Sequence, residues 1–554
     1  MINRMQKIIS KNISFISQHP VLVALICMGL YFGLLQLPFV MSGDIWAEAY
    51  MEYLHKALHA GWMSVIMPSW EGYVTLLPSF FTKLFVESGA SLGIVDIYLR
   101  AVTIIFTVGS LAVIASPLTK PLLPRLWQRL LVILALLMTL WHISAFSFIN
   151  IWYVGFIPLV VLALAAVKFN VWQKIAYTLF ALCVAFTKPS IILLPFIVYR
   201  AVRTKEYITN GLIVAAIALQ TYLLFFATSN GARNVVQGTW QIVHDMYVGM
   251  GTAVLKLLQF APDDLLLAVA NIALVLLLVL LIMRLGAVRA GLLAFGFAFS
   301  VYAYVLAPSA EGARPLADAA KLFADHYKIQ RETLISMFLV LSAGLLLPHA
   351  WSAVQKLPFR LQLWGRVAVL FIAGFGIGLL YRPIDTMSHQ VAVNIAPFRS
   401  ALALRQPLCM PVAPTPSWSP GTNWYMAYGG GCETAGLLTA STLENLMLPV
   451  GEGIRIKVPG HGKHSLMAVM VPLRLELPYH KSAVVIEDVK TGMRFTSQIR
   501  AAHGGGAQFV AFNTSGLAAQ ESYEFILTTE VASFTIVDHT GTTPTQAYFM
   551  LPKP

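Results

Sequence analysis

The sequence predicts a polytopic α-helical membrane protein of about eleven spans, followed by a C-terminal extracytoplasmic β-sandwich or jelly roll. Three observations predict it. First, 58% of the 554 residues are hydrophobic and only 11% are charged, with a mean hydropathy of +0.72. A soluble chain carries about 25% charged residues, and this much apolar side chain excludes disorder. Second, apolar runs of membrane-spanning length recur up to residue 382, broken by short basic loops. Third, residues 383–554 have ordinary soluble composition and short period-two runs.

The first apolar run, 20–40, is too long for a signal-peptide core and no small-residue cleavage site follows it, so it reads as an uncleaved helix. Further candidate spans are 93–115, 129–146, 151–167, 174–187, 189–199, 207–228, 264–284, 290–307, 333–350 and 366–382. The pieces 174–187 and 189–199 are short and parted only by Lys188-Pro189, the pattern of a broken or tilted pair.

The net charge of +13 would suggest nucleic acid in a soluble protein. Here residues 383–554 hold as many acids as bases, so the excess belongs to the membrane part. Alternate loops carry it: Arg4, Lys7 and Lys11; Lys120, Arg125 and Arg129; Lys168 and Lys174; Arg200, Arg203 and Lys205; Arg284 and Arg289; Lys356, Arg360 and Arg366. Only Glu206 opposes them. The intervening loops mix signs. By the positive-inside rule the basic loops and the N-terminus are cytoplasmic, and an odd span count puts 383–554 outside the cytoplasm. Membrane lipids, not nucleic acid, are the partners this charge implies.

In the tail, period-two or apolar runs at 465–471, 483–488, 493–499, 508–513, 523–529, 533–537 and 546–550 predict strands. Cys409 and Cys432 both fall in this exported part and are a disulfide candidate. Cys27 and Cys183 lie in apolar spans and read as packing residues.

No Walker loop, His-Glu-x-x-His pair, Cys-x-x-Cys or Gly-x-Ser-x-Gly elbow is present, and no metal or other cofactor is expected. The glycine runs 429–431 and 504–506 read as turns. The first outer loop, 42–92, is more informative. Asp44 and Glu48 are four residues apart and share a face if helical. A carboxylate at a membrane–water boundary is partly desolvated, which raises its basicity and suits a general base acting on a sugar hydroxyl. A helix N-cap is the competing use of Asp44. An amphipathic stretch with Trp46, Tyr50, Tyr53, Leu54 and Trp62 follows, suited to lying on a membrane surface. Trp70 and Glu71 then precede a Pro- and Leu-containing segment, and the next span opens with Asp96 and Arg100.

This order resembles the glycosyltransferase C superfamily, which includes the protein O-mannosyltransferases and the lipid A aminoarabinose transferases. Asp44 at the outer end of the first span, the Tyr73–Phe81 stretch, Arg100, and Phe186-Thr187-Lys188-Pro189 in an inner span carry the resemblance, with His326-Tyr327 in the place of an Arg-Tyr pair. A Lys-Pro-Pro-Leu element of the family survives only as Leu77-Pro78. A trailing exported β domain occurs in some members, and small bacterial members glucosylate O-antigen. The resemblance implies a multi-pass protein of the bacterial inner membrane. Its donor would be a polyprenyl-phosphate sugar and its acceptor an extracytoplasmic glycan or lipid-linked sugar. Asp44, with Glu48 beside it, would be the base of an inverting transfer, and Trp46, Trp70 and Glu71 would lie in the acceptor loop. A lipid phosphate needs a cation near the outer surface. Lys188, whose competing use is snorkelling, and the 308–332 loop with His326, Tyr327 and Arg331 are the candidates. A polysaccharide polymerase or ligase and a lipid-linked sugar flippase are the alternative readings.

Overall fold

The computed structural model describes residues 18–40, 53–68, 73–140, 147–148, 150–226, 239–258, 260, 263–306, 329–380, 396–405, 408–411, 425–428, 438–443, 447–448, 452–460, 466–475, 481–500, 508–529, 534–536 and 545–550. The membrane part is helical. The first apolar run forms α1 (Pro20–Leu30), a π-helical turn Tyr31–Leu35 and a short α2 (Leu37–Val40). The break coincides with Gln36, a buried amide that donates to the Tyr31 hydroxyl at 3.1 Å. A short α3 (His55–His59) and α4 (Leu76–Glu87) lie within residues 42–92, the segment expected to be the first outer loop. There follow α5 (Val95–Ala115), α6 (Leu126–Met138), α7 (Phe156–Ala165), α8 (Val171–Ala185), α9 (Leu194–Thr204) and α10 (Tyr207–Phe226). The series continues with α11 (Thr239–Leu257), α12 (Asp264–Leu285), α13 (Ala287–Leu306), α14 (Ile329–Gln355) and α15 (Phe359–Leu380).

Local chemistry sets these boundaries. Asn170 caps α8 by accepting from Gln173 N at 2.9 Å, while Gln173 Oε1 accepts from Asn170 N at 3.0 Å. Asp263 caps α12 by accepting from Leu266 N at 2.8 Å. The pair α8–α9 is broken at Phe186–Ser190, where Lys188-Pro189 interrupts the helix. The stretch 229–263, read from the sequence as an outer loop, contains α11 instead. His244, Asp245 and Lys256 hide its apolar face from a simple hydropathy count. Gly251 lets α11 approach α12, since a Cβ there would lie 2.6 Å from Asn271 Nδ2.

Among the described residues, four helical stretches are long and apolar enough to cross a membrane: 92–115, 264–285, 334–355 and 361–378. Helix α7 is buried on every side, the property of a helix inside a bundle. In contrast α15 exposes Phe371, Ile372 and Phe375, each at least 60% accessible, as a lipid-facing helix does. Cys27 on α1 is likewise exposed rather than packed, because α1 lies at the rim of the bundle; Cys183 is half-buried.

Contacts among loops fall into two sets at opposite helix ends. At one end the basic loops meet. Arg129 donates to the carbonyls of Ala115 and Ser116, closing the C-terminus of α5. Arg200 donates to Val167 O at 2.9 Å and to Glu206 at 2.7 Å, while Lys174 lies 3.4 Å from the same carboxylate. Arg289 donates to the Tyr199 hydroxyl at 3.2 Å. At the other end the mixed-sign loops meet, and there the candidate site lies.

The C-terminal part begins with α16 (Ala396–Ala403) and continues in strands β1 (Leu408–Pro411), β2 (Tyr425–Tyr428), β3 (Leu438–Leu443), β4 (Met447–Leu448), β5 (Gly453–Pro459) and β6 (Ala468–Leu475). Then come β7 (Lys481–Asp488), β8 (Arg494–Arg500), β9 (Gln508–Asn513), β10 (Ser522–Thr529), β11 (Phe534–Ile536) and β12 (Thr545–Met550). All seven predicted runs are strands. β1–β5 were not foreseen: β1, β2 and β4 are short, β3 is rich in Thr and Ser, and β5 interleaves Arg455 and Lys457. One antiparallel sheet has the order β5-β10-β7-β8, a second β3-β12-β6-β11-β4 with β9 beside β6, and β1 pairs with β2. Side chains of both larger sheets, including Ile456, Ile486 and Phe525 from one and Val471, Val510 and Phe512 from the other, share one apolar cluster.

Helix α16 joins this part to the bundle. Phe398, Ala401 and Leu402 belong to the bundle's own apolar cluster, together with Met467, Ala468 and Ala511. Arg399 bonds Asp96 at 2.6 Å, and Asp96, in the first turn of α5, is fully buried. Gly93 permits the contact, since a Cβ there would lie 2.8 Å from Arg399 O.

Candidate functional site

The site is built where the first outer loop meets the break between α8 and α9. A helix start leaves backbone N–H groups without intrahelical partners. At α4 those donors are met from another helix: Leu76 N donates to Phe186 O at 3.0 Å and Leu77 N to Thr187 Oγ1 at 3.1 Å. The Thr187 hydroxyl in turn donates to Cys183 O at 2.6 Å. Pro78 has no N–H, and Ser79 N is bonded to Thr75 O. The start of α4 is therefore satisfied internally, and it pins the 186–188 break against residues 73–77.

Two further clamps hold the segment. Gln220, fully buried on α10, donates to Val74 O at 2.6 Å and accepts from Val74 N at 3.2 Å. Lys83 donates to the carbonyls of Ala57 and Ala60, at 3.0 and 2.7 Å, and pairs with Glu87 at 2.7 Å. It thereby closes the C-terminus of α3 and ties it to α4.

Lys188 stands at the centre. Its side chain donates to the Tyr73 hydroxyl at 3.3 Å, and its ammonium lies 5.8 Å from the Tyr73 ring and 5.6 Å from the Tyr153 ring. The residue is only 5% exposed and has no ion pair with any described residue. The 3.3 Å contact sets the ammonium at the hydroxyl edge of Tyr73, so only the Tyr153 ring offers a face, worth about 2 kcal/mol when desolvated, less than the cost of burying a bare charge. Ser190 Oγ and Trp152 Nε1, next in chain to Pro189 and Tyr153, are buried without hydrogen-bond partners among the described residues. Trp152 anchors an aromatic wall: it stacks on Phe81 at 6.1 Å and meets Phe106 and Phe148 edge-on at 4.7 and 5.5 Å. Phe148 also meets Tyr53 at 6.4 Å, so the first outer loop returns to this wall nine residues beyond Asp44.

Of the residues predicted from sequence, Lys188 lies in this cluster, with the Tyr73–Phe81 stretch and Thr187 packed beside it. Arg100 is buried on α5, 2% exposed. Asp44, Trp46, Glu48, Trp70, Glu71, His326, Tyr327 and Cys432 lie outside the described residues. The side chains of Arg331, in the first turn of α14, and of Cys409, in β1 opposite Ala427, lie outside them too. The sequence reading missed Tyr153, Gln220 and Lys83. Gln220 carried a usable signal, as a lone amide in an apolar run needs an internal partner.

No family model matches the chain, and no curated protein matches it. Among solved structures, arabinosyltransferase EmbB from Mycobacterium smegmatis is matched at 11% identity over 96% of this chain and 64% of that one, with a TM-score of 0.26. The chain thus spans less than two thirds of that protein's length.

Proposed function

We propose that the chain is an integral-membrane glycosyltransferase of the glycosyltransferase C kind. It moves a sugar from a polyprenyl-phosphate donor to an extracytoplasmic glycan or lipid-linked acceptor of the O-antigen or lipopolysaccharide type. The observation that carries this reading is Lys188, a buried cation with no described counter-ion, held between two tyrosines beside the outer loop. A buried charge calls for a partner, and a lipid phosphate entering from the bilayer supplies one. The N–H groups at the start of α4 are already bonded, so side chains hold the phosphate: the Lys188 ammonium and the hydroxyls of Tyr73 and Tyr153.

In this mechanism Asp44, with Glu48 near it, takes the proton of the acceptor hydroxyl. The oxygen attacks the anomeric carbon, the bond from that carbon to the phosphate oxygen breaks, and configuration inverts. The leaving phosphate gains a negative charge, which Lys188 stabilises more strongly in the transition state than in the donor. Trp46, Trp70 and Glu71 shape the acceptor side. The N-terminus is cytoplasmic, the membrane is the bacterial inner membrane, and residues 383–554 form a periplasmic domain in which Cys409 and Cys432 pair.

Purified enzyme, polyprenyl-phosphate sugar and acceptor test the proposal. Lys188→Ala is expected to weaken donor use by roughly ten- to a hundredfold with little change toward acceptor. Asp44→Asn should lower turnover by roughly 10²–10⁴ with folding retained. A donor effect in Arg331→Ala and none in Lys188→Ala moves the phosphate to the late loop. Products that are long joined chains, rather than one added sugar, replace the transferase reading with a polymerase or ligase.

A further inference from the structure

A second site lies at the other end of the bundle, where the basic loops meet. A cleft of 480 Å³ opens there between α1, α6, α14 and α15, with Met28, Leu130, Leu134, Leu137 and Leu370 among its apolar walls. Its mouth is different in kind. Trp127 and Trp351 meet edge-on at 4.8 Å. The guanidinium groups of Arg125 and Arg366 both sit over the Trp351 ring, at 5.2 and 6.0 Å. Neither arginine has an ion pair with a described residue, and Trp351 Nε1 is buried without a hydrogen-bond partner among the described residues. Arg366 is exposed and also donates to Gln362 Oε1 at 3.3 Å, and two like charges gathered at one indole favour an anion between them.

From these observations we infer that this cleft binds one anionic phospholipid, its phosphate between Arg125 and Arg366 and an acyl chain along the cleft. The dimensions suit one leaflet. From Trp127 to Leu137 the helix climbs about 15 Å, half of a hydrocarbon core roughly 30 Å thick. Tryptophans at the mouth mark the headgroup level, and guanidinium groups bind phosphate in a fork that a lysine lacks. Basic pockets between spanning helices favour anionic headgroups on the side where such lipids carry the surface charge. A zwitterionic lipid would supply the phosphate and bring its own cation to the same two arginines. The inference rests on the membrane setting of the bundle and is independent of the transferase reading.

The test is native mass spectrometry of the full-length protein with added phosphatidylglycerol, phosphatidylethanolamine or polyprenyl phosphate. The wild type should retain one phosphatidylglycerol, roughly tenfold tighter than phosphatidylethanolamine. Arg125→Gln with Arg366→Gln should abolish that preference. Lys356→Gln with Arg360→Gln, which removes the same charge where α14 gives way to α15, should leave it intact. Leu134→Trp keeps both arginines and fills the cleft, so it should expel the lipid even if the double arginine variant fails to fold. Equal retention of both phospholipids, a preference for polyprenyl phosphate, equal loss in both charge variants, or retention in Leu134→Trp would each overturn the inference.

Discussion

Lys188 precedes α9 and Arg200 lies within it, and both are buried, at 5% and 0% exposure. Their surroundings differ. Arg200 faces Glu206 at 2.7 Å, donates to Val167 O, and stacks on Phe169 at 3.8 Å. Lys188 has the Tyr73 hydroxyl, the Tyr153 ring and no described carboxylate. Equal burial therefore accompanies unequal satisfaction. The arginine belongs to a finished internal structure, closing α7 and tying α8 to α10. The lysine is left with bonding capacity that the surrounding described protein does not use. Positive charge at the basic end therefore has a structural use, whereas Lys188, at the other end, lies among aromatic and hydroxyl groups with no carboxylate among the described residues.

The largest expected effect comes from breaking the finished pair. Glu206→Gln leaves Arg200 buried without its carboxylate, and removing one member of a buried pair costs about 3–5 kcal/mol. The melting temperature in detergent should fall steeply. Lys188→Met is the sharpening control: it removes a buried charge that has no described carboxylate and keeps the volume, so its melting temperature should match or exceed that of the wild type. If Lys188→Met destabilises as much as Glu206→Gln, Lys188 is a structural cation too, and the contrast fails.

A smaller effect is expected where the β part meets the bundle. Arg399 is 37% exposed in its side chain while Asp96 is fully buried. Arg399→Ala strands a buried carboxylate, at a cost of about 1–3 kcal/mol, reduced by the water that reaches the arginine. Asp96→Asn in the same chain should restore most of that loss, and a double-mutant cycle measures the coupling. Limited proteolysis between residues 380 and 396 supplies the second readout, with faster release of the tail in Arg399→Ala. Additive losses would mean that the pair does not hold the two parts together.

How much of this was legible beforehand depends on the range of each signal. Apolar runs report local helices, and every predicted run from 93 onward contains helix. Asp263 as a cap was readable because a cap acts over three residues. The break at Lys188-Pro189 was readable from proline alone. By contrast α11 was missed, because its polar residues interrupt the apolar run. The bonds from Leu76 and Leu77 to residues 186–187, and from Gln220 to Val74, join positions more than a hundred apart in the chain. No periodicity encodes such pairs. Arg399 with Asp96 is the extreme case, a bond across 303 residues. Lys188 was recognisable as a cation out of place, but its tyrosine neighbours were not, since Tyr73 precedes α4 and Tyr153 lies in the 3-10 turn Ile151–Gly155, far away in the chain.

The smallest expected effect concerns the short helix beside the site. Burial first, and then the neighbouring His59, push the His55 imidazole below its usual range; the two rings lie 4.6 Å apart. A base whose folded pKa is depressed binds its proton less readily folded than unfolded. Its contribution is therefore complete above the unfolded value of about 6.5 and is lost as pH falls through that value toward the folded one. The open side of His55 keeps the effect small. Melting temperatures of the wild type and His55→Gln, compared between pH 7.5 and 5, should diverge slightly, with the wild type losing more on acidification. Hydrogen exchange across residues 53–60, corrected for intrinsic rates, should rise in the wild type over the same range. Identical pH slopes in the two proteins would show that α3 is held by Lys83 alone, and that acid reaches the site, if it does, through another group.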